Sequence, residues 1–365
     1  MGTIEAIKKL LEDQPHLLRN SSKRLAQKLK VSEEEVAFAR NLMKNDPQPG
    51  KVSIATATTM AQNKLIHSNS LRVKSAWMDA KGELKYSYTL DQETELTESL
   101  LDAISRISPV NLKSPSYKKD RTKDNAMLEI TLADIHFGRG DTDTLISNLQ
   151  TKIQETIAEA QALYNIEEIV LYSAGDIFNS DGVSLKTTKG TLQRNTSHYE
   201  EDLPKVINFL QTATASCYQA APTTLVVQPG NHSISSEIAL GFIMESLFKT
   251  TKDVIVKHGS KRKVYTYGFV GLLFDHGELR IRDYNQVFAM EFPEEWGATK
   301  FREAHLGHWH QEKSVSMKGM KARYLPSPAD HREDEWIYMN AYYNDPEMQS
   351  FIWHKEKGLR HIVVK

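Results

Sequence analysis

Hydrophobic and polar positions follow two different rhythms along this chain. In residues 1–45 apolar side chains recur at helical spacing, predicting three short helices from about Ile4 to Leu11, Ser22 to Leu29 and Glu33 to Met43. Ser32 followed by Glu35 makes a capping box for the third, in which each side chain satisfies an orphan donor of the first turn. The run NDPQPG, Asn45 to Gly50, then breaks any helix, and Ser75 to Leu90 alternates around Ala80-Lys81-Gly82 as a hairpin would. Leu96 to Ile107 reads as a further helix, and the polar, basic stretch from Ser114 to Asp124 as a solvated linker. Residues 1–45 are thus expected to form a helical unit and 46–125 a linker carrying a small hairpin and helix.

From Ala126 the texture changes. Apolar, β-rich runs now end abruptly in Asp, Asn, His or Gly. MLEITLADIHFG precedes a helix expected from about Thr144 to Tyr164; IEEIVLYSAGD follows, and later TTLVVQPGNH leads into a helix from about Ser235 to Thr250. Strand, loop and helix in repetition predict one layered α/β domain over residues 126–365. In such sheets ligands gather at the carboxyl ends of the strands, where these polar clusters lie.

Composition narrows the picture only a little. With 365 residues, 40% hydrophobic and 25% charged, the chain has material for a large core and more than one unit. Its one cysteine, Cys217, excludes an intramolecular disulfide and any Cys-rich zinc module, and suits a reducing compartment. The opening MGTIEAIKKLLEDQ lacks the apolar stretch of a signal peptide, and no apolar run approaches the ~20 residues of a membrane span, so a cytoplasmic protein without membrane contact is expected. Lys and Arg number 46 against 47 Asp and Glu, a balance that gives no global sign of nucleic-acid binding and leaves only local patches to consider. The 13 histidines say more, because several fall in short clusters beside Asp and Gly.

Five clusters occur in order: Asp134-x-His136, Gly175-Asp176, Gly230-Asn231-His232, His276-Gly277 and Gly307-His308-Trp309-His310. Taken singly, each is an ordinary hydrogen-bonded loop end; together, most of them just after a predicted strand, they describe a metal site. Hydroxide attack on an anionic phosphate ester meets charge repulsion, which two cations ~3.5–4 Å apart relieve while acidifying a water between them. Holding cations that close requires a shared carboxylate, and Asp176 at the end of IEEIVLYSAGD is the best candidate. Mixed oxygen and imidazole donors favour Mn2+, Fe or Zn2+ over Ca2+, with Mn2+ expected first. Asp134 and His136 are two residues apart, as are His308 and His310. Along an extended strand end that spacing turns both side chains to one face, with Trp309 turned away.

These motifs resemble the calcineurin-like metallophosphoesterase superfamily, whose pattern is DxH, GD, GNH, H and GHxH, over roughly residues 126–330. The resemblance implies an α/β/β/α sandwich and a binuclear centre. One metal would be held by Asp134, His136 and His310, and the other by Asn231, His276 and His308, with Asp176 bridging. It further implies that His232 is not a ligand but lies near the leaving group as proton donor. The pattern often continues GNH with an acid that orients this histidine; here Ser233 follows, and Glu237, one helical turn on, is the candidate substitute.

The substrate is less directly legible. LADIHFG and GDIF are closest to the repair-nuclease and bacterial phosphodiesterase branches, while TTKGTLQ and YLPSPADHREDEW resemble phosphoesterases of bacteriophages. The segment from Asn179 to Tyr199, with Lys186, Lys189, Arg194 and His198, reads as a polar insertion near the site. The leading expectation is a metal-dependent nuclease or phosphodiesterase on DNA or another nucleic acid, supported by the basic runs Lys118–Lys123 and Lys261–Lys263. A helix-turn-helix reading of residues 1–45 adds to it, although Glu33, Glu34 and Glu35 would set like charge against phosphate. The alternatives are a small-molecule phosphodiesterase or phosphatase, which the charge balance favours, and a vestigial domain that binds DNA or protein. The N-terminal region is also open to a protein partner or a second copy of the chain.

Overall fold

The computed structural model describes residues 119–330 and 345–365 continuously; before residue 119 it describes Ile7, 22–33, Val36, 71–78, 84–90 and a few positions between 109 and 117. The chain divides into two compact units, residues 1–105 and 106–365.

In the first unit helix α1 spans Ser22–Leu29, as its apolar spacing predicts. It stops where Lys30 adopts a left-handed φ of 54°, letting the Val31 amide reach back to the Ala26 carbonyl at 3.1 Å, a common helix ending. Ile7, Ala26 and Val36 are buried. The helix expected at 96–107 and most of those at 4–11 and 33–43 lie outside the described residues. The hairpin is present: β1, Leu71–Met78, pairs antiparallel with β2, Leu84–Leu90, with Met78 opposite Leu84 and an irregularity between Val73 and Ser75.

The second unit is built on two sheets. Strands β3 (Asn125–Leu132), β4 (Asn165–Ser173), β5 (Thr223–Val227) and β6 (Val254–Lys257) run parallel. The helices that return the chain between them are α2 (Thr142–Leu163), α3 (Tyr199–Ala220) and α4 (Ile234–Phe248). In the second sheet β7 (Lys263–Tyr267) pairs antiparallel with β8 (Val270–Asp275). Short helices α5 (Tyr284–Glu291) and α6 (Pro293–Ala298) lead to β9 (Phe301–Leu306), which lies parallel to β8. A hairpin of β10 (Lys313–Met317) and β11 (Met320–Tyr324) adds to β9. The chain then returns to the first sheet as β12 (Gln349–His354) and β13 (Gly358–Val364). The sheet orders are β13-β12-β3-β4-β5-β6 and β10-β11-β9-β8-β7.

The layers follow from which faces are apolar. Met127, Val170, Tyr172 and Val226 of the first sheet pack against Val270, Leu272 and Phe274 of the second, forming the core between them. The other face of the second sheet buries Leu273, Ala304 and Leu306 under Tyr284 and Phe288 of α5. The result is the mixed α/β sandwich expected, with helices outside two stacked sheets. Sequence reading found α2 and α4 within two residues of their ends but not α3, which follows the polar insertion directly and carries Pro204 in its second turn. Among the described residues no helix is long and apolar enough to cross a membrane.

One charged cluster sits inside this core, away from the predicted motifs. Glu129 follows Met127 by two residues and therefore faces the second sheet too. Its carboxylate meets His305 Nδ1 at 2.6 Å and accepts from Trp353 Nε1 at 3.0 Å. His305 Nε2 lies 3.4 Å from Glu303, which is also paired with Arg323. Two acids and two bases thus balance in a site where Glu129 and His305 have no exposure. Burial opposes the His305 charge, yet Glu129 and Glu303 outweigh it and hold the imidazole up at about 9. Because that value exceeds the ordinary 6.5, the charge stabilises the fold fully below about pH 6.5, and the contribution is lost as pH rises through about 9. His305→Gln is therefore expected to lower stability by ~3–5 kcal/mol at pH 6, since it removes the cation paired with the buried Glu129. In urea melts the gap to wild type should narrow by pH 10; a gap independent of pH would show that His305 is neutral in the fold.

Candidate metal centre

All five predicted clusters leave the carboxyl ends of parallel strands. Asp134 and His136 follow β3, Asp176 follows β4, and Asn231 and His232 follow β5, while His276 comes directly after β8 and His308 and His310 follow β9. The loops behind β3 and β4 remain zipped together past the strands: the Asp134 amide donates to the Gly175 carbonyl at 3.2 Å, and His136 to that of Asp176 at 2.9 Å. Five polar loops from two sheets thereby meet at one edge of the sandwich.

The local backbone differs from the simple alternation expected of an extended strand end. Asp134, His136, Asp176, His308 and His310 all take left-handed φ values, of 50°, 54°, 53°, 76° and 51°. Such values are uncommon for residues with a side chain and persist where surroundings over-determine them, typically at functional sites. The paired side chains converge because the backbone coils at alternate residues, not because it is straight. Glycine is needed where loops touch. Gly175 has φ of 93°, and a Cβ there would lie 2.5 Å from His276 Nδ1. At Gly230 a Cβ would fall onto the Asp176 carboxylate and amide.

The side chains form three overlapping triplets whose nitrogen and carboxylate oxygen atoms lie within 4.8 Å of one another: Asp134, His136 and His310; Asp176, His276 and His308; and His136, Asp176 and His232. In the first, His136 Nε2 lies 3.3 Å from His310 Nε2, which is 3.7 Å from Asp134 Oδ1. In the second, His276 Nε2 is 3.1 Å from Asp176 Oδ2 and 3.0 Å from Asn231 Oδ1. Asn231 thus joins the second group, and all seven residues expected to bind metal are gathered, with Asp176 between the two sets.

The donor chemistry fits a divalent cation. His276 Nδ1 lies 2.9 Å from the Ala174 carbonyl, which can only accept, so Nδ1 carries a proton and Nε2 points at two oxygens. A lone pair facing two acceptors needs positive charge. In this structure a proton supplies it: burial opposes the charge, but Asp176 and Asp134 hold His276 up at about 10. A metal ion there would displace that proton, and the Nδ1–carbonyl bond is the usual outer support of a ligating imidazole. Burial, together with the His276 charge, pushes His308 down to about 4, keeping it neutral and competent as a donor. Asp134 is pushed up to about 7, chiefly by burial; at Asp176 burial acts the same way but the His276 charge prevails and lowers it. Two buried carboxylates this close to each other call for more cation than one imidazolium provides.

The orientation of His232 departs from expectation. Glu237 does not reach it. The Asn179 carbonyl, 3.0 Å from His232 Nδ1, holds the ring instead, and the His232 amide donates to Asp176 Oδ1 at 2.7 Å. With Nδ1 donating outward, Nε2 turns toward the site, where the ring lies 4.5 Å from that of His136. A backbone carbonyl leaves no mark in a sequence motif, so this support was not legible beforehand.

Other supports were missed for the same reason. Ser327, in the YLPSPAD run, donates to the Asp134 carbonyl at 2.8 Å. Asp181 and Thr188 of the insertion hold the start of α4 just after His232: Asp181 accepts from the Ser235 and Ser236 amides at 3.2 and 2.9 Å, and Thr188 from the Ile234 amide at 3.1 Å. Trp309 packs beside Tyr324. Residues 331–344, which include HREDEW, lie outside the described residues.

The basic runs are largely engaged within the unit. Lys119 pairs with Glu167 at 3.1 Å and Lys123 donates to the Gln161 carbonyl at 2.9 Å. Arg262 bridges Asp275 and Glu291 at 3.0 and 2.8 Å, and the buried Lys263 donates to Gln228 at 3.0 Å. Lys189 reaches across from the insertion to Glu278 at 3.1 Å. A cavity of about 780 Å³ adjoins His276 and Gly230, walled by Pro229, Ile234, Leu279 and Phe292, with Lys261 at its polar side.

No family model matches this sequence, and no curated protein does. Solved structures do show likeness. An archaeal phosphodiesterase is 12% identical, with TM-score 0.34, over 66% of this chain and 100% of its own. A predicted phosphoesterase from Streptococcus pneumoniae is 10% identical, with TM-score 0.26, over 66% and 98%. Vps29 from Entamoeba histolytica, complexed with zinc, is 10% identical, with TM-score 0.29, over 66% and 97%. All three likenesses are distant, with identities of 10–12% and TM-scores of 0.26–0.34.

Gly230→Ala tests the close packing directly. The added methyl must displace Asp176 or its backbone, so stability in urea should fall by ~1–3 kcal/mol. The rise in melting temperature expected on adding Mn2+ should shrink with it. An unchanged melt and metal response would show that the two loops are not in contact.

Proposed function

We propose that this protein is a binuclear metal-dependent phosphodiesterase. The observation that carries the reading is the pair of triplets on either side of Asp176, with Asn231 joining the second. Asp134, His136 and His310 would hold one ion, and Asn231, His276 and His308 the other, with Asp176 shared between them. Bound there, two cations supply charge neutralisation of the phosphoryl oxygens and acidification of water. Mn2+ suits the mixed oxygen and nitrogen donors, with Fe and Zn2+ as alternatives.

His232 stands outside both ligand sets in this reading. Its Nδ1 proton is committed to the Asn179 carbonyl, so any proton it gives to a departing alkoxide leaves from Nε2. The Asp176 carboxylate, bound to the His232 amide, holds the residue over the site. The ring is thus held at Nδ1 by the Asn179 carbonyl and the residue at its amide by the Asp176 carboxylate, an arrangement that suits a general acid.

Two substrate classes follow from this chemistry. A polynucleotide accords with the branch to which LADIHFG and GDIF are closest. A small diester is favoured by the cavity of about 780 Å³ beside His276 and by the internal pairing of Arg262 and Lys263. A panel with Mn2+ present decides: a generic diester, a monoester, cyclic nucleotides, DNA and RNA. Turnover of the diester supports the reading. Polynucleotide cleavage that weakens as salt rises assigns the first class, and turnover confined to small diesters the second. Inertness of fully metal-loaded protein toward every member, or well under one metal per chain after purification, would mark the domain as a vestigial binding module.

Two variants test the assignment. Asp176→Ala should lose both metals and all activity. His232→Ala should keep the metals while kcat falls by ~10²–10⁴. Wild-type turnover in His232→Ala would show that the leaving group takes its proton from water.

A further inference from the structure

Glu237 has a place in this site that no motif foretells. It lies in the first turn of α4 with no exposure, and its carboxylate accepts two backbone hydrogen bonds from different loops. Oε1 takes the Ile177 amide at 2.8 Å and Oε2 the Gly230 amide at 2.6 Å. Ile177 is the residue after Asp176, and Gly230 the residue before Asn231. A single rigid group therefore spans the gap between the shared carboxylate and the amide ligand. Only a carboxylate meets this geometry, having two acceptor oxygens and no donor; a glutamine would turn an NH2 against one of the amides.

A buried acid beside Asp176 is costly, and a role confined to satisfying two amides does not explain why it stands between these loops. We propose that Glu237 is a positioning residue that sets the affinity of the second metal position, the one assigned to Asn231, His276 and His308, by locking the Asn231 loop to the Asp176 loop. This rests on the binuclear reading above. Glu237 bonds directly to the Asn231 loop and reaches Asp134, His136 and His310 only by way of the shared Asp176, so its loss falls chiefly on the second position.

The test is a Mn2+ titration of the metal-stripped full chain, followed by calorimetry and by the Mn2+ electron paramagnetic resonance signal, with melting curves recorded without metal. Glu237→Gln should leave the first binding step unchanged and weaken the second by ~10–100-fold, the usual effect of losing an outer support of a metal ligand. Leu240→Ala, which truncates a buried side chain further along α4, should lower the melting temperature and leave both steps unchanged. If Glu237→Gln does not fold, Glu237→Asp, with both acceptors on a stem one carbon shorter, should show the same selective weakening. Equal weakening of both steps, or a second step weakened as much by Leu240→Ala, would reduce Glu237 to a structural residue. Wild type that takes up two Mn2+ ions, with an unchanged isotherm in the variant, overturns this inference alone. Wild type that takes up fewer than two overturns the binuclear reading as well.

Discussion

The Asp176 carboxylate and the backbone around it tie three other loops of the site together. One oxygen accepts the His232 amide and the other faces His276 Nε2; the carbonyl accepts the His136 amide, and Gly230 packs so closely that it has no room for a side chain. Loops from β3, β5 and β8 thus depend on one residue at the end of β4. A ligand shared between two cations, as proposed for Asp176, would need such a central place. The left-handed φ values at Asp134, His136, Asp176, His308 and His310 show how much conformational strain this convergence imposes.

Two stacked sheets allow this convergence. Parallel strands deliver their carboxyl ends to one edge of a sheet, and stacking two such sheets brings β3, β4 and β5 opposite β8 and β9. The inter-sheet core of Met127, Val170, Tyr172, Leu272 and Phe274 sets their separation. Tyr172 adds a polar tie, its hydroxyl donating to the Asp275 carbonyl at 2.8 Å immediately before His276. The Glu129–His305 pair does the same deeper in the sandwich. Packing that would look purely structural in another protein here fixes the distance between the two halves of the candidate metal centre.

Charge balance carries the argument from geometry to chemistry. Asp134, Asp176 and Glu237 are all buried in this region, and each accepts backbone amides: Asp134 that of His308, Asp176 that of His232, and Glu237 those of Ile177 and Gly230. In water-excluded surroundings amide dipoles compensate buried carboxylates only in part. Divalent cations would resolve that imbalance with Asp134 and Asp176 as ligands, which is why the site reads as a candidate place for metal.

Residue identity and order alone determined much of this protein. The abrupt ending of apolar runs in Asp, Asn, His and Gly located the strand ends, and the seven residues gathered at the site were all named by motif, because metal chemistry restricts which side chains can serve. What the motifs could not convey was the supporting structure. Asn179 orients His232 through a backbone carbonyl, Ser327 holds the Asp134 backbone, and Glu237 spans two loops instead of reaching the histidine. Helix α3 and the pairing of the second sheet were equally hidden. The reason is physical: ligand identity is local chemistry and appears in sequence as residue type. Support comes from backbone groups that every residue possesses, and which of these meet is decided only when distant strands are packed together.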